Sequence, residues 1–405
     1  MLQETVLTPE ELDEVRHLIP GPEPKVCTPV SEDSPGRILQ VSEPALHGKE
    51  LAYVTECLRS NWISSAGPYI GKFESAFADA TGSAFAVCCS SGTAALHLMM
   101  AASGLGPGDE VIIPTFTMIA TANAVAFTGA TPVLVDAEPL SWNIDVSQVE
   151  ARITSKTKAL IAVHTYGHPA DMDALQAIAD RHGLLLFEDA AEAHGAKYHG
   201  RTTGNLSDGA AFSFYANKIL TTGEGGMVTT NREDFAKLVR TLRDHAFSEN
   251  YHFWHGYRGF NYRMTNLQAA LGLAQTEQLE KMVALRRQTR ALYDARLKAF
   301  SGLTLPGELP GVQSVFWMYS ILIDEQVFGC SRDEVRRSLA RRGIETRTTF
   351  VPIHAQPIYF RENRGRRFPV AEDICRQGLY LPSGANLKEA ELDYVCRCLG
   401  ELGSH

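Results

Sequence analysis

Short apolar runs alternate with longer segments of helical periodicity along the central half of the chain. The apolar runs show little alternation with polar residues, which is typical of strands in a parallel sheet that helices cover on both faces. Segments with apolar residues at helical spacing separate successive runs. The sequence therefore predicts an α/β fold. The predicted strands are residues 85–89, 110–113, 132–135, 159–163, 184–187 and 227–230.

Polar residues directly follow several of these predicted strands. They occupy residues 90–93, 115–118, 164–166 and 188–194. Ligands of open parallel sheets bind at the carboxyl ends of the strands. We therefore expect these stretches to contribute to one site.

The stretch from residue 211 to residue 230 holds a single lysine, Lys218, between an aromatic run and a glycine-rich turn at 223–226. Two strands joined by a glycine-rich connection would hold this lysine at the end of a sheet. A lysine among apolar neighbours can lose its proton and act as a nucleophile, as lysines that form Schiff bases must. From this stretch alone, a loop lysine whose aliphatic stem packs on the surface is an equally good interpretation.

Asp189 lies just after the predicted strand 184–187. An unpaired carboxylate would be costly to bury there. The aspartate therefore either caps the following helix or faces a cation, such as a protonated heterocyclic nitrogen.

The sequence Ser91-Gly92-Thr93 lies between a predicted strand and a predicted helix. Free backbone N–H groups and the helix dipole would favour an anion there, although a simple N-cap by Ser91 or Thr93 also explains the pattern. Together, Lys218, Asp189 and this anion site supply what pyridoxal phosphate requires. These requirements are an imine partner, a charge that keeps the pyridine nitrogen protonated and a cradle for the phosphate.

The length of 405 residues allows one large α/β domain and a smaller one. Residues 1–38 combine a short acidic helix with a proline-rich segment, which is typical of an arm that lies on a surface or on a partner subunit. We predict a large domain over residues 39–284 and a small C-terminal domain over residues 285–405. The small domain is expected to contain a strand over residues 315–323.

Composition excludes several classes of function. The formal net charge of −9, without a basic stripe, argues against nucleic-acid binding. No apolar run is long enough to span a membrane and the N-terminus lacks a signal pattern, so we expect a cytoplasmic protein without membrane contact. The eight cysteines show neither a disulfide framework nor zinc-ligand spacing, so we expect reduced thiols and no metal site.

Several motifs resemble those of the DegT/DnrJ/EryC/StrS family of sugar aminotransferases, from about residue 40 to the C-terminus. The family has the fold type I architecture of pyridoxal-phosphate enzymes. The resemblance therefore implies a mostly parallel seven-stranded sheet in the large domain and a smaller C-terminal α/β domain. The motifs are SSGTAAL (90–96), IPTFTMIATANAV (113–125), VHTYGHPADMD (163–173), FEDAAEAHGA (187–196), FSFYANKILTTGEGGMV (212–228) and GFNYRMTNLQAALG (259–272).

Position by position, the family pattern implies that Lys218 forms the imine with the cofactor and that Asp189 contacts its pyridine nitrogen. Glu192 would lie near the ring hydroxyl, where many members carry glutamine. Met118 would pack on the ring at a position where the family usually has an aromatic side chain. A thioether is polarizable and can take that place, but without aromatic stacking.

The same pattern implies that the phosphate is bound by Gly92, Thr93 and the hydroxyl of Ser213. Asn261 of the partner subunit would also reach this phosphate. The resemblance therefore implies a homodimer with shared active sites.

The motifs YANKILTTGEGG and EDAAEAHGA look most like those of the 4-aminotransferases that build perosamine- and viosamine-type sugars. The resemblance implies amino transfer from glutamate to a nucleoside-diphosphate-linked 4-keto-6-deoxy hexose, giving a 4-amino-4,6-dideoxy sugar nucleotide for polysaccharide biosynthesis. Freed Lys218 would shuttle the proton. Tyr215 and His354 would line the sugar pocket.

Other readings of the resemblance stay open. A 3-keto sugar or a cyclitol could be the acceptor, and a non-catalytic relative could bind the cofactor as a regulator. The carrier could be GDP, dTDP or UDP. Lys218 argues against the sugar 3-dehydratases of the family, which have histidine at this position.

Overall fold

The computed structural model describes residues 5–29, 34–251 and 253–403, so residues 1–4 and 30–33 of the predicted arm lie outside the described residues. The helices are α1 Pro9–Val15, α2 Glu50–Ser60, α3 Pro68–Thr81, α4 Gly92–Ala102, α5 Ile119–Ala126, α6 Met172–His182, α7 Glu233–Arg243, α8 Asn266–Thr276, α9 Leu279–Leu297, α10 Glu325–Phe328, α11 Arg332–Arg341, α12 Pro357–Asn363, α13 Pro369–Gln377 and α14 Glu389–Gly400. The strands are β1 Phe85–Cys89, β2 Glu110–Pro114, β3 Thr131–Val135, β4 Thr157–Val163, β5 Leu185–Asp189, β6 Lys197–Tyr198, β7 Arg201–Thr202, β8 Gly209–Ser213, β9 Gly226–Thr230, β10 Leu303–Thr304, β11 Val312–Gln313, β12 Tyr319–Ile323, β13 Arg347–Thr348 and β14 Gly378–Leu381.

A seven-stranded sheet in the order β1-β9-β8-β5-β4-β2-β3 forms the centre of the larger part of the molecule. Only β9 runs antiparallel to its neighbours in this sheet. The strands β2, β4, β5 and β8 are almost fully buried, because helices cover both faces. The prediction of a mostly parallel sheet is confirmed.

Helix starts and ends follow local chemistry on both sides of this sheet. The Asp171 side chain accepts from the N–H of Ala174 at the start of α6, and Gly183 ends that helix in the left-handed region with φ of 63°. The hydroxyl of Ser91 accepts from the N–H of Ala94 at the start of α4. The last residues of β5 and β8 and the first residues of α4 line one cavity at the carboxyl edge of the sheet.

A second, antiparallel sheet has the order β10-β12-β14-β13. Its own apolar cluster joins β12 and β14 to α9, α11 and α14. The domain division that we predict after residue 284 falls within α9 and stays a prediction.

The predicted strand over residues 315–323 is wrong in its first half, because only Tyr319–Ile323 is a strand. Phe316 has a φ of 47°, which breaks the extended conformation. The N–H groups of Val315 and Trp317 donate to the carbonyls of Gly167 and Tyr166 instead of to a neighbouring strand. The segment before β12 is thereby tied to the loop that follows β4.

The described part of the arm, residues 5–29 and 34–38, lies on the C-terminal part of the chain. Val15 and Leu18 pack in a small apolar cluster with Phe360 and Cys375. The N–H of Gly21 donates to the Asp333 carboxylate at 2.9 Å. Among the described residues, no helix is both long and apolar enough to cross a bilayer.

Candidate active site

A cavity of about 390 Å³ opens at the carboxyl edge of the large sheet. The predicted site residues line this cavity, with the exceptions of Asn261 and His354. Aromatic side chains from residues 317–380 close it on the side of the second sheet. Its polar and aromatic lining includes Gly92, Thr93, Thr117, Met118, Asp189, Glu192, Ser213, Tyr215, Lys218, Trp317, Phe350 and Tyr380.

Lys218 enters this cavity from the segment between β8 and β9. Its side chain is only 11% exposed, and its Nζ lies 3.5 Å from Glu192 Oε1. Burial lowers the pKa of Lys218, and the carboxylates of Glu192 and Asp189 oppose this effect. The amine is therefore held where it can lose its proton more readily than a surface lysine.

Asp189 is the last residue of β5 and is almost fully buried. Its carboxylate accepts from the Thr121 hydroxyl at 2.7 Å and from the N–H of Ala191 at 3.2 Å. Burial raises the pKa of Asp189, because these donors and the charge of Lys218 only partly offset the loss of water. A cation in the cavity would complete its environment.

Glu192 lies on the loop after β5 and is also buried. Its Oε2 accepts from the N–H of Tyr166 at 2.8 Å, while Oε1 faces Lys218. Burial raises the pKa of Glu192. The main chain of Tyr166, which has a φ of 50°, thus fixes the direction of this carboxyl group.

The start of α4 lies against the end of β8. A Cβ atom on Gly92 would be 2.6 Å from the Cβ of Ser213, a distance that real Cβ atoms do not show. Glycine is therefore required for Ser213 to approach the N-terminus of α4. The hydroxyl of Ser91 accepts from the N–H of Ala94 and serves as the N-cap, so the N-cap interpretation of the Ser-Gly-Thr sequence is confirmed and the anion site stays a prediction. This cradle fits an anionic group such as a phosphate.

The family model of the DegT/DnrJ/EryC1/StrS aminotransferase family matches residues 44–400. The chain belongs to this family. It is therefore a sugar aminotransferase that depends on pyridoxal phosphate, and the residues of the cavity fit that cofactor. A buried carboxylate with room for a cation, a buried lysine and a cradle for an anion all face the same space.

Individual relatives of this aminotransferase are similar over most of their length. GDP-perosamine synthase of Caulobacter vibrioides is 46% identical over 365 residues, which cover 90% of this chain and 98% of that protein. Among solved structures, S. venezuelae DesV in complex with a ketimine intermediate has a TM-score of 0.82 and 38% identity over 87% of this chain and 94% of DesV. DesI in the presence of its TDP-sugar product has a TM-score of 0.84 and 31% identity, covering 90% and 93% of the two chains.

Two predicted site residues of the aminotransferase lie at the open side of the cavity. Met118 is 51% exposed and precedes α5, and Tyr215 is 48% exposed. Both line the cavity. A flat group that lies against Asp189 and Lys218 would cover part of these exposed surfaces.

Asn261 and His354 lie outside this cavity. Asn261 is exposed, and its side-chain carbonyl accepts from Arg263 Nε at 3.0 Å. His354 is buried and contacts the Thr115 hydroxyl at 2.8 Å, on the wall of a separate cavity of about 220 Å³ beside the arm. The chain alone does not bring these two side chains to Lys218, and their roles stay predictions.

Sequence reasoning missed the aromatic wall of the cavity and the hydroxyl that orients Asp189. Thr121 lies four residues after Thr117, within the motif 113–125 and just past the stretch 115–118 that the strand pattern predicts at the site, so this spacing could have indicated it. Trp317, Phe350 and Tyr380 carry no such signal, because they lie far from Lys218 in the sequence and reach it only through the packing of the second sheet.

Proposed function

We propose that this aminotransferase transfers the amino group of glutamate to C4 of a nucleoside-diphosphate-linked 4-keto-6-deoxy hexose. The product is a 4-amino-4,6-dideoxy sugar nucleotide. One observation carries the proposal: Lys218 and Asp189 lie in one buried cavity of a chain that is 46% identical to a GDP-perosamine synthase. That identity over nearly the full length of both chains favours the same class of acceptor.

In this proposal, several residues that line the cavity hold the cofactor. The Asp189 carboxylate, fixed by Thr121, would hold the ring nitrogen, and Glu192 would lie near the ring hydroxyl. Met118 would pack on the ring. The phosphate-binding residues would be Gly92, Thr93 and Ser213. Bound pyridoxal phosphate supplies an electron-accepting ring that makes the Cα–H of the amino donor acidic.

Lys218 has two roles in the proposal. Its amine would join the cofactor, and once released its Nζ would take a proton from the donor Cα and pass it to the cofactor carbon C4′. Burial lowers the pKa of Lys218, which favours the neutral form that this first transfer needs. Trp317, Phe350 and Tyr380 exclude water from the same side of the cavity.

A homodimer with shared active sites belongs to this proposal. Large aromatic side chains that the single chain leaves exposed support it, because exposed apolar surface is typical of a protein contact. They include Phe127, Tyr251, Trp254 and Tyr257. Asn261, exposed and outside its own cavity, would serve the phosphate of the partner subunit.

Mixing two inactive variants tests the shared site. If subunits exchange, Lys218→Ala mixed with Asn261→Ala should recover roughly a quarter of the wild-type activity, because each mixed dimer contains one intact site. No recovery in mixed dimers that are verified by mass would contradict sharing through Asn261.

We also propose a cytoplasmic location. All eight cysteines are free thiols, as expected in a reducing compartment.

Mass spectrometry of a panel of keto sugars tests the proposed reaction. The panel contains GDP-, dTDP- and UDP-linked 4-keto-6-deoxy hexoses, 3-keto isomers and a keto cyclitol, each with glutamate. We expect amination of a 4-keto sugar nucleotide with one 2-oxoglutarate formed per product, and none with Lys218→Ala. Amination of only the 3-keto sugars or the cyclitol would contradict the choice of acceptor. A yellow protein that glutamate does not bleach would indicate a regulator.

A further inference from the structure

Trp317 makes two separate contacts with the segment that carries the reactive lysine. The centre of its ring lies 3.6 Å from Lys218 Nζ. Its ring N–H donates to the backbone carbonyl of Asn217, the residue before Lys218, at 2.9 Å. Tryptophan combines a broad aromatic face with an N–H donor, so one side chain holds both the amine and the main chain next to it.

The ring of Trp317 is itself held firmly. The N–H of Trp317 donates to the Tyr166 carbonyl at 3.0 Å, and the Arg286 guanidinium donates to the Trp317 carbonyl at 3.0 Å. The ring of Tyr166 stacks on the indole, with 6.1 Å between centres and an angle of 26°. Trp317 is only 4% exposed. These contacts fix the orientation of the indole face.

Other charged or titratable groups also act on the Lys218 amine. Glu192 lies at 3.5 Å and Asp189 acts from the end of β5, and both favour the protonated amine. His194 is completely buried, and burial lowers its pKa to about 3, so it stays neutral above that pH. An indole face attracts an ammonium group strongly, especially away from water, and gives no such attraction to a neutral amine.

We propose that Trp317 is a positioning residue for Lys218: its face receives the released amine when that amine carries a proton, and its N–H fixes the main chain before the lysine. This inference deepens the proposed function and rests on its assignment of Lys218. The indole thus keeps the released lysine in the cavity between the two proton transfers. It also makes the protonated amine more stable than the two carboxyl groups alone would.

The test measures the amine directly and needs no sugar substrate. The full-length protein is freed of cofactor with hydroxylamine, and the rate at which acetic anhydride acylates Lys218 is followed by peptide mass spectrometry across pH. Trp317→Leu should shift the midpoint of this profile down by about one pH unit, because it removes the attraction for the ammonium form. Trp142→Leu is the matched control, since Trp142 is equally buried but does not line the cavity.

An unchanged midpoint in Trp317→Leu would overturn the inference, and so would an equal shift in Trp142→Leu. Fluorinated tryptophans provide a second measurement that leaves the packing almost unchanged. Each added fluorine weakens the attraction of the ring face for a cation. The midpoint should therefore fall stepwise in the wild-type protein and stay constant in Trp317→Phe. Equal responses of these two proteins would also overturn it.

The two proposals fail in different ways. If the protein aminates no sugar in the panel but Trp317→Leu lowers the midpoint of Lys218 acylation, the proposed function is contradicted and the role of Trp317 is supported. If the protein aminates the 4-keto sugar and Trp317→Leu leaves the midpoint of acylation unchanged, the proposed function is supported and the role of Trp317 is contradicted.

Discussion

The cavity around Lys218 and the contact of the arm with the C-terminal part both join residues that are far apart in the sequence, and both use charged side chains. In the cavity, Asp189 and Glu192 are buried, the Lys218 side chain is only 11% exposed, and the lysine comes no closer than 3.5 Å to a carboxylate. In the arm, Glu11 meets Arg361 at 3.0 Å with the arginine exposed to solvent. The charged side chains of the cavity are therefore available to a ligand. Those of the arm are already neutralised by partners within the protein.

Charged contacts that stabilise the fold and charged groups that serve function lie in different regions of this molecule. Exposed ion pairs contribute little to stability, because water solvates both partners nearly as well when they are apart. Buried charges without close partners cost stability, and they persist where a ligand or a reaction needs them. Variants in the cavity should therefore change the chemistry most, and variants in the arm should change only folding.

Lys218→Ala should have the largest effect. It removes both the amine that joins the cofactor and the group that moves the proton, so kcat should fall by at least about a thousandfold. The visible absorbance band of the lysine-bound cofactor should disappear. Spectra and turnover of this variant are compared with those of Lys281→Ala, whose side chain is exposed. Retention of the band with normal turnover would show that another residue holds the cofactor.

Asp189→Asn should reduce turnover by roughly a hundredfold or more while sparing cofactor binding. The amide keeps the shape of the carboxyl group and can still accept from Thr121, but it cannot hold the ring nitrogen in its protonated form. Separate measurements of kcat and of the Kd for the cofactor distinguish the two effects. Equal turnover of the asparagine variant would contradict the role given to Asp189.

His354 should make the region beside the arm sensitive to acid. Burial lowers the pKa of His354 to about 4, below the ordinary value of 6.5. Between these values the unfolded chain binds the proton and the folded protein does not, so the free energy of unfolding falls as the pH drops from about 6.5 to 4. The full loss is about 3 kcal/mol.

His354→Asn should flatten this decline, which denaturant unfolding at several pH values measures. His47→Asn serves as a control, because His47 is exposed. A decline of the same steepness in His354→Asn and the wild type would show that other groups cause it.

The smallest effects are expected within the arm, and they differ between two glutamates. Glu23 pairs at 2.8 Å with Arg336, whose side chain is only 1% exposed, so Glu23→Gln leaves a buried cation with less compensation and should cost about 1 kcal/mol. Glu14 pairs with Arg364 on the surface, and Glu14→Gln should leave the unfolding midpoint unchanged. Equal effects of the two variants on the midpoint of urea unfolding would contradict this difference, and both should retain full kcat.

The fold and most of the cavity could be predicted because strands and strand ends carry local signals. Asp189 ends a strand that the apolar run 184–187 reveals, and the carboxyl ends of parallel strands must lie at one edge. Ser213 is implied only by the family resemblance. Trp317 could not be found in this way. The apolar segment 315–323 has the composition of one strand, and only the reversal at Phe316, with its φ of 47°, turns the tryptophan towards Lys218. That reversal depends on hydrogen bonds to Tyr166 and Gly167, which no local pattern encodes.

The one antiparallel strand of the large sheet, β9, has a consequence for how this scaffold could be altered. Ser213 of β8 is paired with Gly226 of β9, so main-chain hydrogen bonds fasten both ends of the segment that carries Lys218. Shortening or lengthening that segment would advance or withdraw the amine while the register of the paired strands stayed the same. The position of the Lys218 amine in the cavity can therefore be changed without changing the pairing of β8 with β9.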